Sequence, residues 1–176
     1  LLAALSGERR VAPAGAIVIE GVPAGRLDAA QRRELGLGFV PEERLGRGAV
    51  PEMSLAENAL LTAHGAGLAR GGFIRFDAMR DFAQQIIAAY RVKAGGPQAV
   101  ARSLSGGNLQ KFIVGREIRL APKVLIAAQP TWGVDVGAAA QVRQALIDLA
   151  GAGVAVLVVS EELDELFEIC DRLAVI

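Results

Sequence analysis

The sequence predicts an α/β fold in which helices flank a mostly parallel sheet. Two observations support this. Short hydrophobic runs rich in Val, Ile and Leu alternate with helical stretches through the second half of the chain, and a purely helical block precedes them. A hydrophobic share of 52% in 176 residues suffices for one ordinary core and argues against a disordered chain.

The first half of the chain contains the end of a helix, two short strands, a capped helix and the helical block. The opening LLAALSG has apolar residues at helical spacing and ends at Gly7, but no capping residue precedes it. Turn residues bound the other elements. The predicted elements are strands over 16–20 and 37–40, a helix over 28–35, and a helical insertion over 54–90 with a glycine-rich break at 65–72.

The second half alternates helices and strands, which is typical of a parallel sheet covered on both faces. The predicted elements are a helix ending near Leu120, strands over 124–127 and 154–159, helices over 138–149 and 163–169, and a last strand over 172–176. The first helix lacks its start and the last strand has nothing after it, so both ends look cut. We therefore expect the chain to be a fragment, truncated at its N-terminus.

Composition excludes several classes of function. Nineteen basic and nineteen acidic residues cancel, and no basic run is present, so we expect no nucleic-acid partner. The single Cys170 cannot form an intrachain disulfide and has no companion ligands at metal-binding spacing. No apolar run approaches the roughly 20 residues that cross a bilayer.

The segment 104–108, with the sequence LSGGN, is the most specific motif. Its glycines allow close approach of the backbone to a ligand, and the helix that follows directs its positive end at the same point. The serine hydroxyl and the free N–H groups can bind phosphate oxygens. An ordinary serine-glycine helix cap is the alternative interpretation of this motif taken alone.

In its context, this motif resembles the signature loop of the ABC ATPases, which reads LSGGN followed by Gln and Lys in sugar and nucleoside importers. Further segments resemble other family motifs in the family's order. They are 38–44 for the Q-loop, 53–58 for the start of the helical subdomain, 122–131 for the Walker B strand, 132–137 for the D-loop, and 160–165 with Asp171 and Arg172 for the switch region. The resemblance implies an ABC-type P-loop NTPase fold with an inserted helical subdomain.

The chain departs from the family at the residues that perform catalysis. The positions of the Walker B aspartate and of the catalytic glutamate are Ala128 and Gln129. Alanine offers no ligand atom to Mg²⁺, and a glutamine cannot accept the proton of the attacking water, a loss of roughly 10²–10⁴-fold in rate. Glu161 stands at the switch histidine and Glu42 at the Q-loop glutamine. By this resemblance, the chain retains none of the family's catalytic residues, and we expect no metal site in it.

A phosphate-binding loop of the form G-x-x-x-x-G-K-[ST] does not occur in the sequence. In the family this loop lies just before the helix that ends LLAALSG. We therefore expect ATP and Mg²⁺ to act in an assembled transporter and expect neither to bind to this chain alone.

The resemblance implies a role in a head-to-tail pair, in which the signature loop of one domain closes the nucleotide site of the other. Ser105, Gly106, Gly107 and Asn108 would contact nucleotide in trans, beside the D-loop residues Gly133 and Asp135. The combination of Ala-Gln with Ser-Glu-Glu resembles the second half of tandem importer ATPases in the nucleoside and basic-membrane-lipoprotein-linked branch.

The implied partners follow from that branch: a competent first ABC domain on the same polypeptide, transmembrane permease subunits, and a periplasmic or lipoprotein substrate-binding protein. The implied location is the cytoplasmic face of a bacterial inner membrane, and the implied solute is a nucleoside or simple sugar. The alternative function is a non-transport ABC-type regulatory or binding module; an inactive remnant is a third.

The resemblance divides the chain into core over 1–48, a helical signature subdomain over 49–103, and core over 104–176. In the family, a short cytoplasmic helix of the permease binds in a groove, which corresponds here to the surface over 42–63. Met53, Leu55 and Leu60 either line this groove or belong to the helical core. We interpret residues 42–44 as a solvated charge cluster and His64 as a loop residue. Nothing in the sequence explains Trp132 where the family often has arginine.

Overall fold

The computed structural model describes residues 1–63 and 67–175. Seven helices and seven strands occur in these ranges. The helices are α1 (Leu2–Ser6), α2 (Ala29–Glu34), α3 (Leu55–Ala63), α4 (Phe76–Ala89), α5 (Gly106–Arg119), α6 (Val136–Gly151) and α7 (Leu163–Ile169). The strands are β1 (Val18–Ile19), β2 (Val22–Pro23), β3 (Leu37–Val40), β4 (Ala69–Arg70), β5 (Phe73–Ile74), β6 (Val124–Ala128) and β7 (Ala155–Val159).

The central sheet has the order β3-β6-β7, and both pairs of strands are parallel. Leu37 lies opposite Val124, and Val124 lies opposite Ala155, so the carboxyl ends of all three strands meet at one edge. The parallel sheet predicted from the alternating pattern is confirmed. The loops that follow β3, β6 and β7 therefore lie together at that edge.

Local capping explains why several helices begin where they do. The Asp28 side chain accepts from the N–H of Gln31, and the Gln31 side chain accepts in return from the Asp28 N–H. Asp135 caps α6 through the N–H of Ala138 at 2.9 Å. Each cap contributes about 1 kcal/mol to the stability of its helix.

The main hydrophobic core joins the sheet to the helical block. Leu55, Ile86, Phe112 and Leu125 are fully buried in one cluster that also reaches α6. A second, smaller cluster lies between β1 and the opposite face of the sheet, around Ile19, Leu37 and Ile126. The helical block and the sheet therefore share one core through α5.

A buried ion network lies at the junction of four elements, with Glu117 of α5 at its centre. The Glu117 carboxylate accepts from the Arg33 Nη1 at 2.7 Å, from the Phe39 N–H at 3.3 Å, and from the Arg116 Nε at 3.1 Å. Arg116 also donates to the Asn58 carbonyl in α3 at 3.2 Å. Burial lowers the pKa of Arg116, and the Glu117 carboxylate opposes this shift. The network connects α2, β3, α3 and α5.

Four sequence-based expectations need correction or fall outside the description. The helical insertion expected over 54–90 is interrupted by the strands β4 and β5, which pair around the Gly71–Gly72 turn. The last strand, expected over 172–176, is not a strand in 172–175, because no neighbouring strand pairs with it among the described residues. The strand expected over 16–20 is limited to β1, since its first residue belongs to a 3₁₀ turn at Ala14–Ala16. His64 lies outside the described residues.

None of the helices in the described ranges is long and apolar enough to span a membrane.

Candidate functional site

The segment LSGGN lies at the N-terminus of α5, where Ser105 is the capping residue. Gly106 and Gly107 occupy the first turn, so their N–H groups have no partner within the helix. The Ser105 oxygen accepts from the Asn108 N–H at 3.4 Å and from the Asn108 Nδ2 at 2.9 Å. Because both acceptor positions are used, the exposed Ser105 hydroxyl is free to donate its proton outward, as phosphate binding requires.

Three side chains of α5 fix this loop to its surroundings. The Asn108 Oδ1 accepts from the Lys93 N–H at 2.8 Å, and the Lys111 Nζ donates to the Arg91 carbonyl at 2.8 Å. On the other side, the buried Gln110 Nε2 donates to the Pro130 carbonyl at 2.8 Å. Burial lowers the pKa of Lys111, and the nearby Asp135 carboxylate opposes the shift. The loop is thus held between the segment after α4 and the segment after β6.

The D-loop residues pack directly against the two glycines. A Cβ added at Gly107 would lie 2.8 Å from the Asp135 Oδ2 and 2.9 Å from the Ala138 Cβ, which is closer than real side chains approach. A Cβ at Gly106 would lie 3.7 Å from the Gly133 carbonyl oxygen. The structure therefore brings together all six residues that the sequence assigns to nucleotide contact and to the D-loop: Ser105, Gly106, Gly107, Asn108, Gly133 and Asp135.

Arg44 is a member of this site that the sequence did not identify. The interpretation of residues 42–44 as a solvated cluster fits Glu42 and Glu43, which are exposed, but it is wrong for Arg44. The Arg44 guanidinium donates to the Trp132 carbonyl, and a Cβ added at Gly106 or at Gly133 would lie 3.3 Å or 3.6 Å from it. It therefore joins the loop after β3 to the D-loop and the signature loop. Sequence could not reveal this contact because the two residues are 88 positions apart.

The four positions that depart from the family pattern lie at the carboxyl edge of the sheet. Ala128 ends β6 and is buried, while Gln129 adopts a left-handed backbone with φ 47°. The Gln129 Oε1 accepts from the Glu161 N–H at 3.3 Å and from the Ser160 hydroxyl at 3.5 Å. Its amide is thus turned toward the loop after β7, and it has neither a basic atom nor a carboxylate to offer to a water molecule.

A cleft of about 410 Å³ opens beside Ala128 and Trp132, and more acidic than basic side chains line it. Glu8, Glu42 and Glu43 line it, and the one arginine there, Arg47, pairs with Glu8. Such a cleft repels a triphosphate, and no group of three or more His, Cys, Asp or Glu side chains in the described ranges is arranged to hold a metal ion. Ala128, at the position of the family's Walker B aspartate, offers no ligand atom to Mg²⁺.

A groove of about 450 Å³ lies between the loop after β3, α2 and the end of α3. Its walls carry Arg33, Arg47, Leu61 and Thr62. None of the three side chains suggested from the sequence lines it. Leu55 is fully buried in the core, as the alternative interpretation held, while Met53 and Leu60 are half-buried. The helical spacing of apolar residues could not distinguish the face toward the core from the face toward the groove.

Curated relatives share extensive sequence similarity with the chain. It is 42% identical to the nucleoside import ATP-binding protein NupA of Lactococcus lactis subsp. cremoris (strain MG1363), over 81% of this chain and 28% of the relative. It is 39% identical to the ribose import ATP-binding protein RbsA of Chelativorans sp. (strain BNC1), over 92% of this chain and 32% of the relative. Identity to the guanosine import ATP-binding protein NupO of Bacillus subtilis (strain 168) is 39% over 100% of this chain and 34% of the relative.

The chain spans about a third of the length of these relatives.

Among solved structures, the ATP-binding cassette MJ0796 in a dimeric post-hydrolysis state with ADP and Pi superposes with a TM-score of 0.68, at 22% identity over 84% of this chain and 62% of that one. A second dimeric structure of MJ0796 superposes with a TM-score of 0.62 at 20% identity, over 82% of this chain and 62% of that one. These structural similarities show the fold of the chain. No protein-family model matches the chain.

Proposed function

Since the chain belongs to the ABC ATP-binding domains of the sugar and nucleoside importer type, we propose that it is the catalytically degenerate half of an importer ATPase. In this role it donates its signature loop to a nucleotide site on a competent partner domain. Its own Walker B side does not hydrolyse ATP. The result is an asymmetric motor with one working site.

The observation that carries this proposal is the contrast between the two halves of the site. The Ser105 hydroxyl is exposed, its acceptor positions are filled, and its loop is braced on both sides. Such preorganised donors stabilise the negative charge of a phosphoryl group without reorganising during the reaction. Ala128 and Gln129 offer no comparable chemistry. Both ATP and Mg²⁺ would therefore be held by the partner domain, with this chain supplying donors to the phosphate.

We further propose that the partner domain precedes this chain on one polypeptide, and that the pair docks on membrane permease subunits at the cytoplasmic face of a bacterial inner membrane. The groove between α2 and α3, with its arginines and Leu61, is the surface available for a permease segment. A periplasmic or lipoprotein substrate-binding protein would deliver the solute. Relatives named for ribose, nucleoside and guanosine import support a sugar or nucleoside as that solute.

The decisive test is ATP hydrolysis by a competent ABC domain of the same importer group, measured with and without this chain. We expect the chain alone to show no hydrolysis and to bind no ATP at micromolar concentration by calorimetry, and we expect it to stimulate the competent domain. Tight binding of ATP to the isolated chain would contradict the degenerate assignment. An absence of stimulation by a folded chain would contradict donation of the signature loop.

A second prediction concerns the degenerate side of the chain. We expect Gln129→Glu to change the ATPase rate of the assembled protein by less than about twofold, because a glutamate alone cannot replace the missing Mg²⁺ ligand at Ala128. The carboxylates of Glu42 and Glu43 in the adjacent cleft would also repel the phosphates of a nucleotide. Steady-state hydrolysis would be compared with Gln84→Glu, the same exchange on the exposed face of α4. A gain of tenfold or more would refute the assignment.

A non-transport regulatory module remains the competing function, and it differs in its partners. The transport proposal requires that the protein containing this chain copurify with permease subunits, and that alterations in the groove, such as Leu61→Glu, weaken that association. A regulatory module would retain its partners after the same substitution. No observation on this chain favours the regulatory alternative.

A further inference from the structure

A short hairpin exposes an apolar and basic surface at the outer end of the helical block. Strands β4 and β5 pair antiparallel, with Arg70 opposite Phe73 and Ala69 opposite Ile74, around a Gly71–Gly72 turn. Both glycines have positive φ, which allows the two-residue turn. Phe73 is 79% exposed, Phe76 at the start of α4 is 58% exposed, and Ile74 is 43% exposed. We call the side chains of Phe73, Ile74, Phe76, Arg70 and Arg75 the hairpin patch.

The hairpin is a defined element that holds these side chains outward. Leu68 at its base is buried, and the Arg75 N–H donates to the Leu68 carbonyl at 2.9 Å. The Arg75 Nη1 also donates to the Gly67 carbonyl at 3.2 Å. Phe73 and Phe76 expose most of their surface to solvent, which costs solubility, and such exposed apolar groups are a feature of binding surfaces.

Charge around the hairpin patch is positive. Between Gly67 and Arg80 the sequence has three arginines and one aspartate. Arg80 pairs with that aspartate, Asp77, at 3.4 Å, while Arg70 and Arg75 form no ion pair with any residue that the structure describes. Apolar side chains flanked by two arginines without a carboxylate partner in the part of the chain that the structure describes form the combination that inserts into the headgroup region of a negatively charged bilayer.

Size and shape favour a lipid surface over a protein partner. Phe73 and Ile74 are consecutive strand residues and lie on opposite faces of the hairpin, so neither face offers the roughly 800 Å² that each partner buries in a standard protein interface. Phe73 directly follows the two-residue turn, at the tip of the hairpin. A bilayer needs neither area nor shape complementarity, because the tip can insert alone.

We propose that the hairpin patch is a membrane-surface contact, in which Phe73 and Phe76 insert among the headgroups of anionic lipids and Arg70 and Arg75 bind their phosphates. This contact is independent of the nucleotide role proposed above, since it requires neither ATP nor a permease. It would hold the helical block against the bilayer in addition to any permease contact.

The test is cosedimentation of the purified chain with vesicles of phosphatidylglycerol or of phosphatidylcholine. We expect binding to phosphatidylglycerol that weakens at high salt, and little binding to phosphatidylcholine. Both the double variant Phe73→Ser with Phe76→Ser and the double variant Arg70→Gln with Arg75→Gln should weaken it at least about tenfold. Phe167→Ser is the matched control, because Phe167 is also an exposed phenylalanine but lies on α7. Thermal melts by circular dichroism would verify that the variants fold.

Two outcomes would overturn the proposal. One is equal vesicle binding by the hairpin variants and the wild-type chain; the other is an equal loss on Phe167→Ser. If the hairpin variants keep vesicle binding but lose copurification with permease subunits, the patch is a protein contact instead. A failure of the ATPase tests above would leave the vesicle result unchanged, so the two proposals are distinguishable.

Discussion

The substitution Ser105→Arg is expected to lower ATP hydrolysis by the assembled protein about 10²–10³-fold, the loss typical of removing a preorganised donor from a phosphoryl or oxyanion site. The hydroxyl has its acceptor positions filled by Asn108, so its proton is available to a phosphate held by the partner domain. An arginine at this exposed position removes that donor and places a long side chain where the two domains close. Steady-state hydrolysis of the full-length protein would measure the effect.

The serine pair Ser103→Ala and Ser105→Ala supplies a matched control for the hydroxyl itself. Both residues are exposed and lie next to the same helix, but the Ser103 hydroxyl donates to the Val100 carbonyl at 2.6 Å and is already used. We expect Ser105→Ala to slow hydrolysis about tenfold or more, and Ser103→Ala to leave it within about twofold. Equal effects of the two alanine variants, or full activity of Ser105→Arg, would contradict donation in trans.

Features that depend on neighbouring residues could be predicted from the sequence. The capped start of α2 at Asp28 and the glycine stop of α1 at Gly7 each follow from a few consecutive residues. The parallel sheet also followed, because alternating strands and helices allow few other arrangements. The assembly of Ser105 with Gly133 and Asp135 came from the family resemblance rather than from spacing alone.

Features that depend on distant partners could not be predicted in this way. The final residues read as a strand because their composition favours one, but a strand forms only where a neighbour pairs with it. The sequence predicts a solvated charge at Arg44, whereas in the fold its guanidinium donates to the Trp132 carbonyl. The hairpin of β4 and β5 was visible only as a glycine-rich break within a helical block. In each case a long-range contact decided the outcome.

The junction of four elements at Glu117 was also invisible in the sequence, and it supports the second large prediction. The substitution Glu117→Ala is expected to lower the free energy of unfolding by about 3–5 kcal/mol, because it leaves the buried Arg116 guanidinium without a counter-charge. It also removes the acceptor for the Phe39 N–H and for Arg33. For a chain of this size, such a loss corresponds to roughly 10 °C or more in the melting temperature. Urea denaturation would measure it directly.

Two further variants separate the ion network from simple loss of volume. The exposed pair Arg80 and Asp77 is the reference, and Asp77→Asn should cost no more than about 1 kcal/mol. The double variant Glu117→Ala with Arg116→Met should recover much of the lost stability, because an apolar pair carries no unpaired buried charge. If Glu117→Ala costs no more than Asp77→Asn, the network does not stabilise the junction. If the double variant is no more stable than Glu117→Ala alone, packing around Glu117 rather than its charge holds α2, β3, α3 and α5 together.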